Sequence, residues 1–277
     1  MKEFGDKVAV ITGAASGIGF GIAQRCAQEG MKVVLADINA EDLQAAEQAL
    51  APSGATTLAV QTDVSKFGEV EALSQKTLDA FGAVHLLVNN AGVGGGGSPW
   101  EATLADWQWV MGVNLWGVIH GVKVFVPIML AQDTECHVVN TASIAGFLPQ
   151  HVSAPYQVTK HGVVALSENL YHSLAQVNAK VKVSVLCPEW VKTRIADAER
   201  NRPVELQNDP ASDPSSPEYE AMIADLRRAA AAGMSPQEIA DQVLQAIRDE
   251  QLYVFTHPGC RAGIQRRMEA VLEHCPD

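Results

Sequence analysis

Short runs of β-branched residues alternate along the chain with longer amphipathic stretches of helical period. Lys7–Thr12, Lys32–Asp37, Thr57–Thr62, Leu86–Asn89, His137–Thr141 and Lys182–Cys187 read as strands, with helix-length segments between them. This β-α-β-α order implies an α/β fold in three layers, a doubly wound parallel sheet with right-handed crossovers and helices on both faces. Ligands of such a sheet bind beyond the carboxyl ends of its strands.

Towards the C-terminus, Ser235-Pro236-Gln237-Glu238 has the pattern of a capping box with proline at the first helical position. It predicts a helix from Pro236 to about Asp249, followed by a last strand at Tyr253–Phe255. The composition shifts once, at Asn201–Glu220, which is rich in Pro, Asp and Ser, and a helical stretch Tyr219–Ala232 follows. Residues 194–235 therefore read as a flap over a pocket within a single domain spanning 1–277. The glycine tract Gly92–Gly97 is too short for an interdomain linker and reads as a mobile loop.

Composition narrows the partners. With 277 residues, 47% of them hydrophobic, the chain can bury one large core. A net charge of −12 opposes a phosphate-backbone partner, so no nucleic acid is expected. No stretch of about 18 uninterrupted apolar residues and no signal-peptide core is evident, so no membrane is expected and the chain reads as soluble and cytoplasmic. The five cysteines are scattered without a CxxC pair, so they read as packing residues and no metal is expected.

The first strand opens into Thr12-Gly13-Ala14-Ala15-Ser16-Gly17-Ile18-Gly19 and then into a helix predicted at Phe20–Glu29. Gly13, Gly17 and Gly19, with Ser16 and Ile18 between them, form a tight turn through which backbone can approach a pyrophosphate at a helix N-terminus. A glycine loop between strand and helix is the mark of a Rossmann-type nucleotide fold. Asp37 ends the second strand, 18 residues past Gly19, where a carboxylate accepts both ribose hydroxyls. A 2′-phosphate about 5 Å from it would be repelled by about 3 kcal/mol per unit charge. With no Lys or Arg in Ala14–Ser16 or at Ile38, NAD is expected and NADP disfavoured by about a hundredfold. Asp63, before Val64, can accept from the adenine amino group or cap a helix over Lys66–Phe81, and one carboxylate can do both. Asn90, Ala91 and Gly92 close the fourth strand with small residues that admit the nicotinamide ribose, although alone they read as a turn.

Ser143, Tyr156 and Lys160 carry the candidate chemistry, with Asn114 as a fourth member. Tyr156 and Lys160 are four residues apart, so a helix from Pro155 to about Gln176 puts them on one face. That spacing alone describes many surface pairs; a serine thirteen residues before the tyrosine, just past a strand, sharpens it. A phenol with an ordinary pKa near 10 is a poor base at neutral pH, but positive charge on Lys160 and on an oxidised nicotinamide favours the phenolate. Tyr156 is then a general base for an alcohol proton, while Ser143 holds the substrate oxygen and Lys160 binds the nicotinamide ribose.

Thr12-Gly-x-x-x-Gly17-x-Gly19, Asn89-Asn-Ala-Gly92, Asn114, Ser143 and Tyr156-x-x-x-Lys160 together resemble the motif set of the single-domain short-chain dehydrogenase/reductase family, over residues 7–193. The resemblance implies an NAD(H)-dependent oxidoreductase for secondary alcohols and their ketones. It also implies that Asn114 anchors a water passing a proton from Lys160 to solvent; an asparagine kinking a helix Leu104–Leu130 is compatible with that. After the sixth strand the family usually reads Pro-Gly, whereas this chain has Cys187-Pro188-Glu189-Trp190-Val191-Lys192-Thr193. Pro188, Val191 and Thr193 still match, so the resemblance implies contacts of the Val191 backbone and Thr193 with the carboxamide; Glu189 is left without a role.

Phe147, Leu148, His151, Trp190 and Ile195 are expected to surround the nicotinamide face together with Gln150, an aromatic-rich pocket for a bulky uncharged alcohol. His151 reads as a wall residue more readily than as an extra acid. The segments Trp109–Val118 and Leu252–Pro258 are similar to the branch holding Cα-dehydrogenases of lignin-derived aryl ethers, which implies a benzylic alcohol, with hydroxysteroids and other cyclic alcohols as competitors. Apolar residues on more than one face of Leu104–Leu130 suggest a subunit contact, and family members commonly pair this helix and Tyr156–Gln176 in homodimers or homotetramers. A dinucleotide-sensing protein without turnover is a rival reading that the complete Ser143, Tyr156, Lys160 set opposes. A sugar-nucleotide epimerase is another; it would carry a longer C-terminal domain and a wider glycine loop.

Overall fold

The computed structural model describes residues 1–149, 153–209 and 217–276. The strands are β1 (Val8–Thr12), β2 (Lys32–Asp37), β3 (Thr57–Gln61), β4 (Leu86–Asn89), β5 (Cys136–Thr141), β6 (Val181–Cys187) and β7 (Tyr253–Phe255). They form one parallel sheet in the order β3-β2-β1-β4-β5-β6-β7, as the alternating pattern predicts, with ends displaced by a residue at most. Successive residues point to opposite faces, and both faces are covered. Ala9 and Ile11 of β1 join one core cluster with Val33, Leu35, Leu86 and Val88, while Val8 and Val10 join the other with Val34, Leu87 and Val138.

On the first face lie α1 (Gly17–Gln28) and α8 (Pro236–Arg248), packed through Ile22, Cys26, Ile239, Val243 and Ile247. They approach so closely that a Cβ on Gly21 would sit 2.6 Å from the Pro236 carbonyl oxygen. The α8 capping box is present in both directions, Ser235 Oγ accepting from Glu238 N and Glu238 Oε2 from Ser235 N. The second face carries α3 (Phe67–Phe81), α5 (Gly117–Gln132) and α6 (Ala154–Gln176), with Leu73, Phe125, Met129, Leu170 and Leu174 inward. The remaining helices are α2 (Ala40–Leu50), α4 (Leu104–Met111), α7 (Pro217–Ala232) and α9 (Cys260–Leu272).

The helix expected over Leu104–Leu130 is interrupted as the asparagine suggested, and the interruption is a π turn at Gly112–Trp116 joining α4 to α5. Among the described residues, Leu104–Gln132 is the one helical passage long and apolar enough to cross a membrane, with mean hydropathy 1.6. One side of it packs into the core, with Phe125, Val126 and Met129 buried and Gly121 against the Asn89 side chain. Between β1 and β4 the strand order reverses, and this switch point opens the crevice that holds the site.

Candidate active site

A cavity of about 410 Å³ runs along the carboxyl ends of the strands, from the β1–α1 loop to the start of α6. Gly13, Ser16, Gly17 and Ile18 line one end, joined by Asp37, Asp63 and Val64. Gly13 and Gly17 have φ of +64° and +55°, the left-handed region that glycine adopts without strain. A Cβ on Gly13 would lie 2.8 Å from Ala91 Cα and one on Gly17 2.9 Å from Thr193, so bare backbone shapes this end. Helix α1 starts at Gly17 rather than at Phe20, which puts Gly19 inside its first turn and outside the cavity wall. There a Cβ would meet the Gly13 carbonyl oxygen at 2.2 Å, so Gly19 serves close packing of helix on loop. Ser16 makes no side-chain capping bond, so its side chain does not occupy the N–H groups of the first turn, of which Gly17 and Ile18 line the cavity.

The Asp37 carboxylate accepts from Ala15 N and Asn39 N, each at 3.1 Å, although burial pushes its pKa up. Asp63 does not cap α3. Lys66 occupies that position without a side-chain bond, and the Asp63 carboxylate turns back to accept from Ser65 N and Ser65 Oγ at 2.9 and 2.7 Å. Asn90 donates to the Thr12 carbonyl at 3.0 Å, fixing Asn90, Ala91 and Gly92 in the cavity wall. Two cations absent from the local sequence context arrive from the segment after β6: Arg194 and Arg200 line the same cavity, and Arg194 is paired with Asp42 at 2.5 Å.

At the inner end the structure brings Ser143, Tyr156 and Lys160 together in the wall. Ser153 caps α6 by accepting from Tyr156 N, which sets the phase of the helix. Lys160, 3% exposed, donates to the Thr141 carbonyl at 2.9 Å, and its Nζ lies 5.3 Å from the centre of the Tyr156 ring. Burial lowers the Lys160 ammonium to about 8. Burial also raises the Tyr156 phenol, with the Ser143 hydroxyl pulling back; in the protein alone the lysine does not bring the phenol below its ordinary value. Ser143 Oγ accepts from Ala145 N at 3.1 Å and makes a long bond to the Pro188 carbonyl at 3.3 Å, a donor it can redirect to a substrate oxygen.

Asn114 is fully buried behind this wall. Its side-chain amide is engaged by the Val93 backbone, accepting from Val93 N at 2.8 Å and donating to Val93 O at 2.9 Å, so its side chain is a tie between the π turn and the loop after β4. Gly112 and Val113 of the same π turn line the cavity. The glycine loop expected to be mobile is held against α6, with Ser153 Oγ donating to the Gly95 carbonyl and Ala154 N to Gly97 O at 2.9 Å.

Pro188, Trp190, Val191, Thr193 and Ile195 line the cavity, as their order after β6 suggests. Phe147 and Leu148 do not. Phe147 packs edge-on to Tyr253 and Phe255, its carbonyl accepts from Arg267, and Leu148 lies against Gly263 of α9. Aromatic partners on β7 draw these side chains away from the pocket. His151 and Gln150 lie outside the described residues. Where Phe147 and Leu148 were expected, the apolar wall of the cavity includes Trp109, Leu206, Met222, Ile223 and Leu226. Trp109 lies under a buried knot in which Arg202 pairs with Asp106 at 2.7 Å and stacks 5.0 Å from the indole.

Comparison with known proteins gives the family. The family model for short chain dehydrogenase matches residues 7–203. The CLA biosynthesis dehydrogenase/reductase of Lactiplantibacillus plantarum is 34% identical, covering 100% of this chain and 97% of that protein. The C alpha-dehydrogenase of a Sphingobium species is also 34% identical, covering 99% and 88%. A solved short chain dehydrogenase/reductase from Burkholderia phymatum, in complex with NAD, superposes with a TM-score of 0.94 at 45% identity, covering 100% and 98%. With the glycine loop, the buried lysine and the tyrosine in one cavity, a family model matched over residues 7–203, and relatives matched over 88% or more of their lengths, the chain belongs to the short-chain dehydrogenase family.

Proposed function

We propose that the protein is an NAD(H)-dependent oxidoreductase that interconverts a bulky, uncharged, aromatic or cyclic secondary alcohol and its ketone. The observation that carries this reading is the convergence of Ser143, Tyr156 and Lys160 at one end of a cavity whose other end is the bare Gly13–Ile18 loop beside Asp37. The residues fit a dinucleotide: open N–H groups for a pyrophosphate and a carboxylate for the ribose hydroxyls. NAD over NADP is supported by Asp37, by the commitment of Arg194 to Asp42, and by the NAD bound in the Burkholderia neighbour. The substrate class is supported by the apolar wall of Trp109, Leu206, Met222, Ile223 and Leu226, and by the resemblance to the C alpha-dehydrogenase.

When bound, an oxidised nicotinamide supplies the hydride acceptor and a positive charge. Tyr156 Oη takes the hydroxyl proton of the alcohol, Ser143 Oγ leaves the Pro188 carbonyl to donate to the substrate oxygen, and the Lys160 ammonium holds the phenolate. Burial raises the phenol and lowers the ammonium in the protein alone, so in this reading the positive charge of the bound cofactor is what favours the phenolate. Residues 194–235 act as the flap that closes the alcohol side, with 210–216 outside the described residues. We further propose that the protein is cytoplasmic and forms a homodimer or homotetramer; the assembly is supported by α6 leaving Val158 and Tyr171 exposed and the adjacent π turn and α5 leaving Trp116 and Leu130 exposed, and light scattering at micromolar protein reads the mass. For the reaction itself, Tyr156→Phe is expected to abolish NADH formation from NAD and a secondary alcohol while leaving NADH binding within about twofold. Retained turnover in that variant would remove Tyr156 as the base.

A further inference from the structure

The backbone after Pro188-Glu189 is held by a residue just beyond the neighbouring edge strand β7. Strands β6 and β7 pair in parallel as far as Cys187 opposite Phe255. Pro188 has no N–H, so the backbone ladder stops there. Two residues beyond the last pair on each side, side chain replaces ladder: Glu189 N donates to His257 Nδ1 at 3.3 Å, and His257 Nε2 meets the Trp190 carbonyl at 3.0 Å. Thr256 Oγ1, at 2.8 Å from the same Nδ1, fixes the ring from behind. In the tautomer with Nε2–H donating to the Trp190 carbonyl, the one Nδ1 lone pair is shared between the Glu189 N–H and the Thr256 hydroxyl. Glu189 is not among the residues of positive φ, so no glycine is needed, and its side chain is exposed.

The segment held by this imidazole is also held from two other sides. The Pro188 carbonyl accepts from Ile144 N at 3.0 Å and from Ser143 Oγ, while Met234 N donates to Trp190 O at 3.0 Å and Lys192 N to Met234 O at 2.9 Å. Gly233 passes so close that a Cβ would lie 2.4 Å from the Trp190 carbonyl oxygen. The 188–191 backbone thus connects the Ser143 hydroxyl, the Val191 stretch of the cavity wall and the beginning of α8.

We infer that His257 is a positioning residue of the site: its neutral imidazole sets the 188–190 backbone, and through it the Ser143 hydroxyl and the cavity wall that receives the nicotinamide. This rests on the assignment of the cavity to a nicotinamide cofactor. In the full chain, His257→Ala is expected to weaken NADH binding about tenfold, read by fluorescence titration, and to speed hydrogen exchange at the amides of Glu189 and Met234. His257→Gln, which keeps a side-chain N–H donor for the Trp190 carbonyl, is expected to recover most of the NADH affinity. Unchanged exchange at both amides, or NADH affinity within twofold of the parent despite faster exchange, would overturn the inference. A parent that binds no NADH would instead overturn the cofactor reading, with the exchange rates still deciding whether His257 holds the segment.

Discussion

Replacing Arg202 by methionine tests how the apolar half of the cavity is held. The guanidinium is 3% exposed and pairs at 2.7 Å with Asp106, which is 7% exposed. It also donates to Leu206 O at 2.6 Å, to Glu199 Oε1 at 3.2 Å and to Asn208 Oδ1 at 3.3 Å. Asn208 in turn donates to Asp106 at 3.0 Å, and Asp106 accepts from Thr103 N at 2.9 Å. Burial pushes the Asp106 carboxyl up, but Asn208, Thr103 and Arg202 together hold it below its ordinary value. Removing one member of a buried pair leaves the other charge without compensation and costs about 3–5 kcal/mol. At about 2–4 °C per kcal/mol for a chain of this size, Arg202→Met should lower the melting temperature by roughly 10 °C. Adding Asp106→Asn removes the stranded charge while keeping an acceptor for Thr103 N, so the double variant should regain at least half of that loss. Because Trp109 and Leu206 lie on this knot, the Michaelis constant for the alcohol should rise while NADH affinity stays within about twofold. A melting temperature within 2 °C of the parent, or a double variant less stable than the single one, would refute the reasoning about the pair.

Two further outcomes follow from buried groups elsewhere. Asp37→Ala should narrow the preference for NADH over NADPH by about a hundredfold, read as the ratio of dissociation constants; an unchanged ratio would mean that another contact discriminates. His137 is fully buried with Nε2 on Ser184 Oγ at 2.8 Å, and burial lowers its pKa to about 3. The unfolded imidazole, near 6.5, then binds the proton more tightly than the folded one, so stability falls as pH drops from about 6.5 towards 3. The loss amounts to about 2–3 kcal/mol at pH 4.5. His137→Leu should remove that part of the acid sensitivity in urea melts, since Ser184 Oγ keeps its bond to Gln251 O at 2.7 Å; identical pH slopes for the two proteins would contradict it.

What could be read from the sequence was whatever short-range geometry carries. The glycine loop, Asp37, and the four-residue spacing of Tyr156 and Lys160 are local, and the strand ends that present Ser143 and Asn90 follow from hydrophobic pattern. The parallel sheet and its reversal at β1 follow from element order. Side chains whose direction depends on distant partners were not legible. Phe147 and Leu148 precede the catalytic helix but are drawn to β7 and α9, more than a hundred residues later in the chain. The Arg202–Asp106 and Arg194–Asp42 pairs join segments with no shared pattern, so neither the buried knot nor the approach of Arg194 to the cavity had a sequence signal. Asp63 shows competition between two local options: both a helix cap and an Asx turn fit the sequence, and the turn is what forms.

The central claim is tested most directly by absorbance at 340 nm with NAD, and separately NADP, against benzylic, steroidal, other cyclic and aliphatic secondary alcohols. The account predicts NADH formation from a bulky aromatic or cyclic alcohol, with NAD preferred and with no signal from the Tyr156→Phe variant. Silence across the whole panel from a protein that binds NADH would contradict it, as would turnover that survives the loss of Tyr156.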